Sequence, residues 1–332
     1  MTSRWGLTVP APGMSIAAHA ELFRQLPGWG FTDAWTAEVA GHDAFTPLAF
    51  AAATQPRLRL GTAIVPVFTR GPALIAQSAA AMASAAPGRF QLGLGASSPA
   101  IVESWNGLSF EQPFRRARDV LRFVRPALAG EKVSGRFETF TVDGFRLESP
   151  PEQQVPILLA ALRPQMLALA GSEADGVILN WLAPHDVSQC LQAVRNSECE
   201  VVARIFVCPT EDAEYARNLG RRMIAAYLTV HAYAEFHRWL GRGPQLDRLW
   251  SLWDAGDRKA AAAAVPDEVI DELLVHGSPS RCRERVQAYV EAGVAVPVLA
   301  VVPTPDMTDP VSLAQILAGL GKPELAGTEQ AR

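Results

Sequence analysis

GRFQLGLGASSPAIVESWNG, residues 88–107, is the stretch that decides the fold. It begins as an apolar strand over residues 90–94 and continues through Gly95 into three small residues, Ala96, Ser97 and Ser98. A buried strand that ends in small residues lets a ligand or another backbone approach it closely. The stretch therefore indicates either the floor of a cofactor site or a strand that its glycines merely bend, and the pattern alone leaves both readings open.

Three similar strand signals precede this stretch at regular spacing. Residues 5–9, 32–36 and 58–65 are rich in apolar and β-branched residues, and a helical pattern separates each from the next. Strands that alternate with helices at this spacing are typical of βαβ units and a parallel sheet.

The same alternation resumes after residue 150. Four further strands are predicted over residues 156–161, 176–180, 201–207 and 296–302. Eight strands without a reversal of order favour an α/β fold of the closed (β/α)8 TIM-barrel type over a doubly wound sheet. We predict a single barrel domain over residues 1–325, with a hairpin near 136–147 that turns at Asp143-Gly144 and a helical insertion near 211–272.

The composition excludes several classes of partner. The chain has 332 residues, 49% of them hydrophobic, and a formal net charge of −4, so nothing suggests a nucleic-acid-binding protein. No apolar run reaches the roughly 18 residues of a membrane span, and the first residues lack the apolar core of a secretion signal. Four widely spaced cysteines without a CxxC pair fit a reducing cytoplasm. We therefore expect a cytoplasmic protein that binds a small molecule.

The sequence lacks the motifs of several common kinds of active site. GLGASS lacks the third glycine of GxGxxG, so it fails the dinucleotide fingerprint. The six histidines are scattered, which gives no metal-ligand spacing, and the GxSxG nucleophile elbow is missing. An organic cofactor is then the most economical source of reactivity, and we expect no metal.

The ends of the predicted strands supply the candidate residues, because TIM barrels carry their chemistry there. Glu38 and His42 follow the second strand, where a carboxylate and an imidazole can move a proton. Arg163 precedes Pro164 at the start of a helix, and its charge together with the helix N-terminus makes an anion site. Each of these is alternatively an ordinary solvated loop residue.

Three segments carry a family resemblance. The stretches at residues 34–52 (AWTAEVAGHD…), 60–107 (LGTAIVPVFTRG…) and 157–181 (ILLAALRPQM…) resemble the bacterial luciferase-like flavin and deazaflavin oxidoreductases. The likeness is greatest to the branch that uses the deazaflavin coenzyme F420. This resemblance implies a TIM barrel with the flavin-like ring lying across its mouth.

The resemblance also implies positions for the cofactor. The ring packs on a bulge in the third strand that often contains a non-prolyl cis peptide, and the matching residues are Ala63, Ile64 and Val65. The end of the fourth strand supports the ring or its ribityl chain, and the matching residues are Gly95, Ala96, Ser97 and Ser98. The phosphate lies at the turn after the fifth strand, and the matching residues are Ala161, Leu162 and Arg163.

Two further positions follow from the same resemblance. Asn180, at the end of the sixth strand, faces the cofactor. In the family, an acid or a histidine at the end of the second strand lies near the reactive carbon of the ring. Glu38 occupies that place in this chain, and His42 follows it closely. Sugar-phosphate dehydrogenases of this branch carry Asp-His and Gly-Gly where this chain has Glu38-Val39 and Leu162-Arg163, so the substrate stays open.

The resulting hypothesis is hydride transfer between coenzyme F420 and a small organic substrate. One alternative is a luciferase-like monooxygenase that uses FMN, and another is a cofactor-binding protein without turnover. Relatives of this kind are often dimers, and the alanine-rich helix predicted over residues 72–85 is suited to close helix packing. A homodimer is therefore a further expectation.

Overall fold

The computed structural model describes residues 4–11, 13–307 and 309–322. Strands and helices alternate along most of the chain. The strands are Gly6–Thr8 (β1), Asp33–Thr36 (β2), Arg59–Thr62 (β3), Val65–Pro66 (β4), Phe90–Gly95 (β5), Val133–Arg136 (β6), Thr141–Phe145 (β7), Ile157–Ala160 (β8), Gly176–Asn180 (β9), Glu200–Cys208 (β10), Leu274–His276 (β11) and Val296–Val301 (β12).

The helices lie between and after these strands. They are His19–Gln25 (α1), Thr46–Thr54 (α2), Pro72–Ala85 (α3), Pro113–Leu128 (α4), Pro164–Glu173 (α5), Val187–Val194 (α6), Ala213–Leu228 (α7), His231–Trp239 (α8), Gly243–Asp254 (α9), Arg258–Ala263 (α10), Asp267–Leu273 (α11), Pro279–Glu291 (α12) and Pro310–Leu320 (α13).

Parallel pairing closes the main sheet into a barrel. Neighbouring strands follow the order β10, β12, β1, β2, β3, β5, β8 and β9, and β9 pairs again with β10. The short strand β4 continues β3 beside β5, and β11 lies outside the ring on β10. In the described residues the eight-stranded (β/α)8 barrel is therefore confirmed, because an open doubly wound sheet has two free edges.

Large side chains fill the barrel interior. Trp35 is buried among residues that point inward from five other positions, Leu158, Ile178, Val202, Val296 and Val298. A Cβ at Gly61 would lie 2.4 Å from the Trp35 ring, so only glycine fits on that part of β3. Because the interior is packed in this way, a ligand has room only beyond Trp35, at the carboxyl ends of the strands.

A polar cluster closes the opposite end of the barrel. Arg4 forms ion pairs with Asp33 and Glu200, and its guanidinium also donates to Gln91. Gln91 in turn donates to Glu200 at 2.7 Å. These contacts join four strands or strand ends at the amino-terminal face, which in this fold serves stability.

Two predicted elements differ from the structure. The third strand, predicted over residues 58–65, is interrupted after Thr62 by a cis peptide bond between Ala63 and Ile64. Apolar residues at helical spacing predict a first helix over residues 15–26 with Ser15 as its N-cap, but the helix begins at His19. The Ser15 carbonyl instead accepts a hydrogen bond from His19 Nδ1, at 2.7 Å, and this turn precedes the helix.

The hairpin prediction placed the turn incorrectly. β6 and β7 are antiparallel, but the chain reverses at residues 137–140, where the Phe137 N–H donates to the Phe140 carbonyl at 2.9 Å. Gly144 lies within β7 with φ of 70°. The two phenyl rings stack at 4.7 Å, and both contact Phe123 of α4. Packing of these rings against α4 therefore determines where the chain turns. The Asp143-Gly144 pair is a local signal and carries no information about that packing.

The helical segment between β10 and β11 lies over one side of the barrel mouth. Side chains from α7, α9 and α11, including Leu228, Trp250 and Ile270, form one apolar cluster with Phe206 and Ala300 of the barrel. Arg242 connects this segment to the chain after β9 through an ion pair with Asp186, and it also pairs with Glu272 within the segment. No described helix combines the length and apolarity required to cross a membrane.

Candidate functional site

The third barrel strand carries a bulge at the mouth. The non-prolyl cis peptide lies between Ala63 and Ile64, at the position that the family resemblance predicted. The Ala63 N–H donates to the Thr36 carbonyl at 2.6 Å, and the Ile64 carbonyl accepts from the Glu38 N–H at 3.3 Å. Ala63 and Ile64 stay partly exposed, whereas Val65 is buried. The bulge thus presents two of the three predicted residues to the mouth.

The two glycines of β5 have different roles. A Cβ at Gly93 would lie 1.8 Å from the Thr62 carbonyl oxygen, and the Thr62 hydroxyl bonds to both the N–H and the carbonyl of Gly93. Gly93 therefore serves the pairing of strands. A Cβ at Gly95 would instead meet the side chain of Ile64 at 2.9 Å and Ala160 at 3.2 Å, all at the mouth. Gly93 thus lies at a contact between strands, whereas Gly95 lies beside the bulge of the third strand.

The residues after Gly95 continue this surface. Ala96, Ser97 and Ser98 are partly exposed, and Ser97 adopts a φ of 68°, in the left-handed region. A single π-helical segment, Ala100–Trp105, follows. Small side chains here leave the backbone reachable from the mouth.

Glu38 is held by an arginine from the loop between β4 and α3. Its carboxylate accepts hydrogen bonds from Arg70 Nε at 3.0 Å and Nη2 at 2.9 Å, and from the Ala44 N–H at 2.9 Å. These hydrogen bonds to Glu38 raise the pKa of Arg70 above its usual value. Both carboxylate oxygens are therefore occupied, and Glu38 ties the β2–α2 loop to the end of the third strand.

His42 lies on that loop and is exposed. The loop is well anchored, because the Thr36 hydroxyl donates to the Ala44 carbonyl and Asp43 accepts from the Phe45 and Thr46 N–H groups. His19 lies near His42 and is buried. Burial lowers the pKa of His19, and its Nε2 accepts from the Ala11 N–H at 2.7 Å. His19 is therefore a structural residue of the mouth, and His42 is the accessible imidazole.

The turn after β8 places the predicted phosphate residues before α5. Ala161 is buried, Leu162 is half-buried and Arg163 is exposed. Arg163 is the extended residue that immediately precedes the helix, with φ of −121° and ψ of 158°. A cation beside a helix N-terminus provides a site for an anion.

Asn180 ends β9 with its side chain in the barrel mouth. Its Nδ2 donates to the hydroxyl of Tyr233, on α8, at 2.9 Å. Its Oδ1 is buried and has no hydrogen-bond partner among the described residues. Burial raises the pKa of Tyr233 to about 12, so the phenol keeps its proton. One helix of the inserted segment thus contributes directly to the mouth.

Two polar residues of the mouth were missed from the sequence. Arg204 of β10 is in register with Asn180, and Tyr233 bonds to Asn180. A signal for Arg204 was present, because a single charge interrupts the apolar strand at residues 201–208. No such signal marks Tyr233, since it depends on how α8 lies over the barrel.

The family follows from comparison with known proteins. The sequence profile described as luciferase-like monooxygenase matches residues 2–295. The chain belongs to the luciferase-like monooxygenase family. A curated relative, a putative coenzyme F420-dependent oxidoreductase from Mycobacterium tuberculosis, is 28% identical over 311 residues, which cover 85% of this chain and 90% of the relative. The predicted resemblance to the luciferase-like family is confirmed, and this relative carries an F420-dependent name.

Solved structures support the luciferase-like fold. The coenzyme F420-dependent tetrahydromethanopterin reductase from Methanopyrus kandleri superposes with a TM-score of 0.75 at 21% identity, covering 96% of this chain and 98% of that one. The oxygenating constituent of 3,6-diketocamphane monooxygenase from Pseudomonas putida, in complex with FMN, gives 0.65 at 16% identity, covering 97% and 98%. At these identities the likeness concerns the fold.

The mouth of this luciferase-like barrel fits a flat, polar-edged group. Ala63, Ile64, Gly95 and Ala160 form a floor of small or aliphatic groups, and a Cβ at Gly95 would already crowd that floor. The orphaned Oδ1 of Asn180 faces the same mouth. By contrast, a surface cavity of about 510 Å³ lined by α4, α5 and the end of α6 contains none of the predicted residues. No described group of three His, Cys, Asp or Glu residues is placed to hold a metal.

Proposed function

We propose that this oxidoreductase transfers a hydride between coenzyme F420 and a small organic substrate. The observation that carries the proposal is the small-residue floor at the barrel mouth, formed by the Ala63-Ile64 bulge beside Gly95. Such a floor lets a planar ring lie against backbone. The F420-dependent name of the Mycobacterium tuberculosis relative supports the choice of ring.

In this proposal the predicted residues contact successive parts of the cofactor. Ala63, Ile64 and Val65 support the ring, and the backbone of Gly95, Ala96, Ser97 and Ser98 supports the ring or ribityl chain. Asn180 offers its free Oδ1 to a donor on the ring edge. Ala161, Leu162 and Arg163 receive the phosphate at the start of α5. When bound, the deazaflavin accepts or donates the hydride.

The proton that accompanies the hydride is assigned to His42. Oxidation of a substrate alcohol to a carbonyl releases one hydride and one proton, and the proton needs an acceptor at the mouth. Both oxygens of Glu38 already bind Arg70 and Ala44, whereas His42 is exposed. We therefore infer that Glu38 positions the loop and that His42 moves the proton.

His42→Gln tests this assignment. We expect kcat to fall by about 100-fold, which is the lower end of general acid–base contributions, while the Kd for F420 is unchanged. The measurement is the absorbance change of F420 across a pH series with the substrate found by screening. A matched variant, His231→Gln, changes an exposed histidine on α8 and should leave kcat unaltered. Unchanged kcat and an unchanged pH profile in His42→Gln contradict the role.

A monooxygenase reaction with reduced FMN is the second candidate. The structure of the FMN-bound camphane monooxygenase has the same fold, and a flat floor accepts either ring. Titration of the purified protein with F420 and with FMN, followed by fluorescence, separates the two. F420 binding with weaker or no FMN binding supports our proposal, and tight FMN binding without F420 binding refutes it. A protein that binds F420 but turns over no substrate in a broad screen supports the non-catalytic alternative.

Gly95→Val tests the floor itself. The added side chain projects from a position where even a Cβ lies 2.9 Å from Ile64, so it fills the space of the ring. We expect the affinity for F420 to fall at least about tenfold, a loss of about 1.4 kcal/mol. Gly135→Val, in open space on the hairpin, is the control and should bind F420 as the wild type does. Equal affinities for all three proteins contradict the proposed site.

Two further proposals concern the context of the enzyme. We propose a homodimer with α3 at the interface, and the support is the 48% exposure of Leu74 on this alanine-rich helix. We also propose a cytoplasmic location. Its support is that Cys190, Cys199, Cys208 and Cys282 are free and buried thiols, as a reducing compartment permits.

A further inference from the structure

Arg204 places an unpaired cation in the mouth of the barrel. Side chains two residues apart share one face of a strand, and Val202 of the same strand packs inside the barrel beside Trp35. Arg204 therefore points inward, one step nearer the mouth. It is in register with Asn180 of β9, whose own strand sends Ile178 into the interior. Arg204 and Asn180 thus belong to the same inward-facing layer.

Within the described part of the chain, no carboxylate forms an ion pair with Arg204. Its Nε is buried and has no hydrogen-bond partner among the described residues, and its guanidinium lies 4.7 Å from the centroid of the Phe206 ring. Arg4, Arg70 and Arg242 differ in this respect, because they form ion pairs with Asp33, Glu38 and Asp186, respectively.

An unpaired guanidinium in a partly desolvated site is unfavourable unless an anion reaches it. A second donor lies close by. The hydroxyl of Tyr233 accepts from Asn180, so its own proton is available, and no described residue accepts that proton. The charge of Arg204 lowers the pKa of the Tyr233 phenol, although burial raises that pKa by a larger amount. Two donors therefore converge where the described residues supply no carboxylate.

Aromatic rings surround these donors. Trp181 stacks on Phe206 at 4.3 Å, and Tyr227 contacts both Trp181 and Tyr233. Rings of this kind favour a flat, apolar body, while a guanidinium favours a carboxylate that it binds through two parallel hydrogen bonds.

We propose that Arg204 and Tyr233 bind the carboxylate of an unsaturated or aromatic carboxylic acid, and that the substrate belongs to this class. The inference rests on the proposed function in that the acid is the partner of the cofactor in hydride transfer. The same anionic chemistry has a second source, because F420 itself carries a phosphate and carboxylates. The test distinguishes the two sources.

The experiment uses 4-fluorobenzoate and its uncharged counterpart 4-fluorobenzamide as probes. Fluorine NMR titrations give the Kd of each probe with the full-length protein, with and without saturating F420. We expect the wild type to bind the benzoate at least about tenfold more tightly than the amide, equivalent to about 1.4 kcal/mol. We expect Arg204→Met to abolish the preference while its Kd for F420 stays within about twofold of the wild-type value, and we expect Tyr233→Phe to reduce the preference.

Control measurements keep the outcomes separate. Arg204→Lys retains the charge without the planar fork, so it should retain part of the preference. Thermal melts show whether each variant folds. If Arg204→Met does not fold, absence of a benzoate preference in the wild type is sufficient to overturn the proposal.

Two results overturn the substrate class. One is an unchanged benzoate preference in folded Arg204→Met. The other is a loss of F420 affinity in this variant while the benzoate preference persists, which assigns Arg204 to the cofactor. Failure of the proposed function gives a different result. In that case the wild type binds no F420, but its affinities for benzoate and amide can still be compared.

Discussion

Replacing Arg242 with methionine is expected to lower the free energy of unfolding by about 3–5 kcal/mol, because one half of a buried ion pair is left without its partner. The Arg242 and Asp186 side chains are 4% and 3% exposed. Arg242 Nη1 donates to Asp186 Oδ1 at 3.0 Å, and its Nε and Nη2 donate to Glu272. In Arg242→Met the Asp186 carboxylate stays buried and loses its cation.

The position of this pair adds a functional consequence. Asp186 also accepts from the Ala183 N–H at 2.7 Å, just after the strand that carries Asn180. Glu272 lies at the end of the inserted helices, on α11. Arg242 therefore fastens the segment that bears Tyr233 to the barrel mouth. The variant should be more sensitive to proteolysis within residues 211–272 than the wild type.

Urea unfolding followed by circular dichroism measures the loss of stability. Arg24→Met is the matched control, because Arg24 forms an exposed pair with Glu21, and such pairs contribute less than about 1 kcal/mol. A loss below about 1 kcal/mol in Arg242→Met, equal to the control, shows that the buried network does not hold the segment in place.

Gly93→Ala is expected to cost about 3 kcal/mol through overpacking inside the barrel. The new methyl group would lie 1.8 Å from the Thr62 carbonyl oxygen and 2.5 Å from Ile178 Cδ1, so a barrel strand must shift. The shift disturbs the hydrogen bonds of 2.8 and 3.0 Å between Thr62 and Gly93. The Thr62 carbonyl oxygen belongs to the backbone, so it cannot rotate away from the new methyl group as the end of a flexible side chain can.

Differential scanning calorimetry provides the measurement for Gly93→Ala. Its matched control is Gly135→Ala, where nothing lies within 4 Å of the new Cβ. The midpoint of Gly93→Ala should fall by several degrees, and that of the control should change little. Similar midpoints for both variants mean that the strands tolerate the methyl group, and the assignment of Gly93 to strand pairing is then wrong.

The spacing of apolar residues and the positions of proline and glycine were sufficient to predict the barrel. The helix Pro72–Ala85 and the strand Gly176–Asn180 have the predicted bounds, because proline, glycine and apolar spacing mark them locally. The hairpin turn was misplaced because Phe137 and Phe140 pack on Phe123, a contact with the distant helix α4. Local signals report local preferences, and packing between elements overrides them.

The candidate site was predictable only in part. The end of the fourth predicted strand follows from the pattern of residues in the chain, whereas the cis peptide bond at Ala63-Ile64 was expected from the family resemblance. The pairing of Glu38 with Arg70 spans 32 residues, and it changes Glu38 from a free carboxylate into an anchor for the loop. No spacing in the sequence indicates which arginine reaches which carboxylate.

The sequence by itself determined the order of strands and helices and the small residues that form the floor of the mouth, because these depend on residue type and near neighbours. Only the tertiary structure decided that Gly93 serves strand pairing while Gly95 faces the mouth, and that Arg204, which has no ion pair among the described residues, is in register with Asn180, whose side chain bonds to Tyr233. The physical reason is closure of the barrel. It brings together side chains that are distant in the chain, and their mutual positions set which charges are paired.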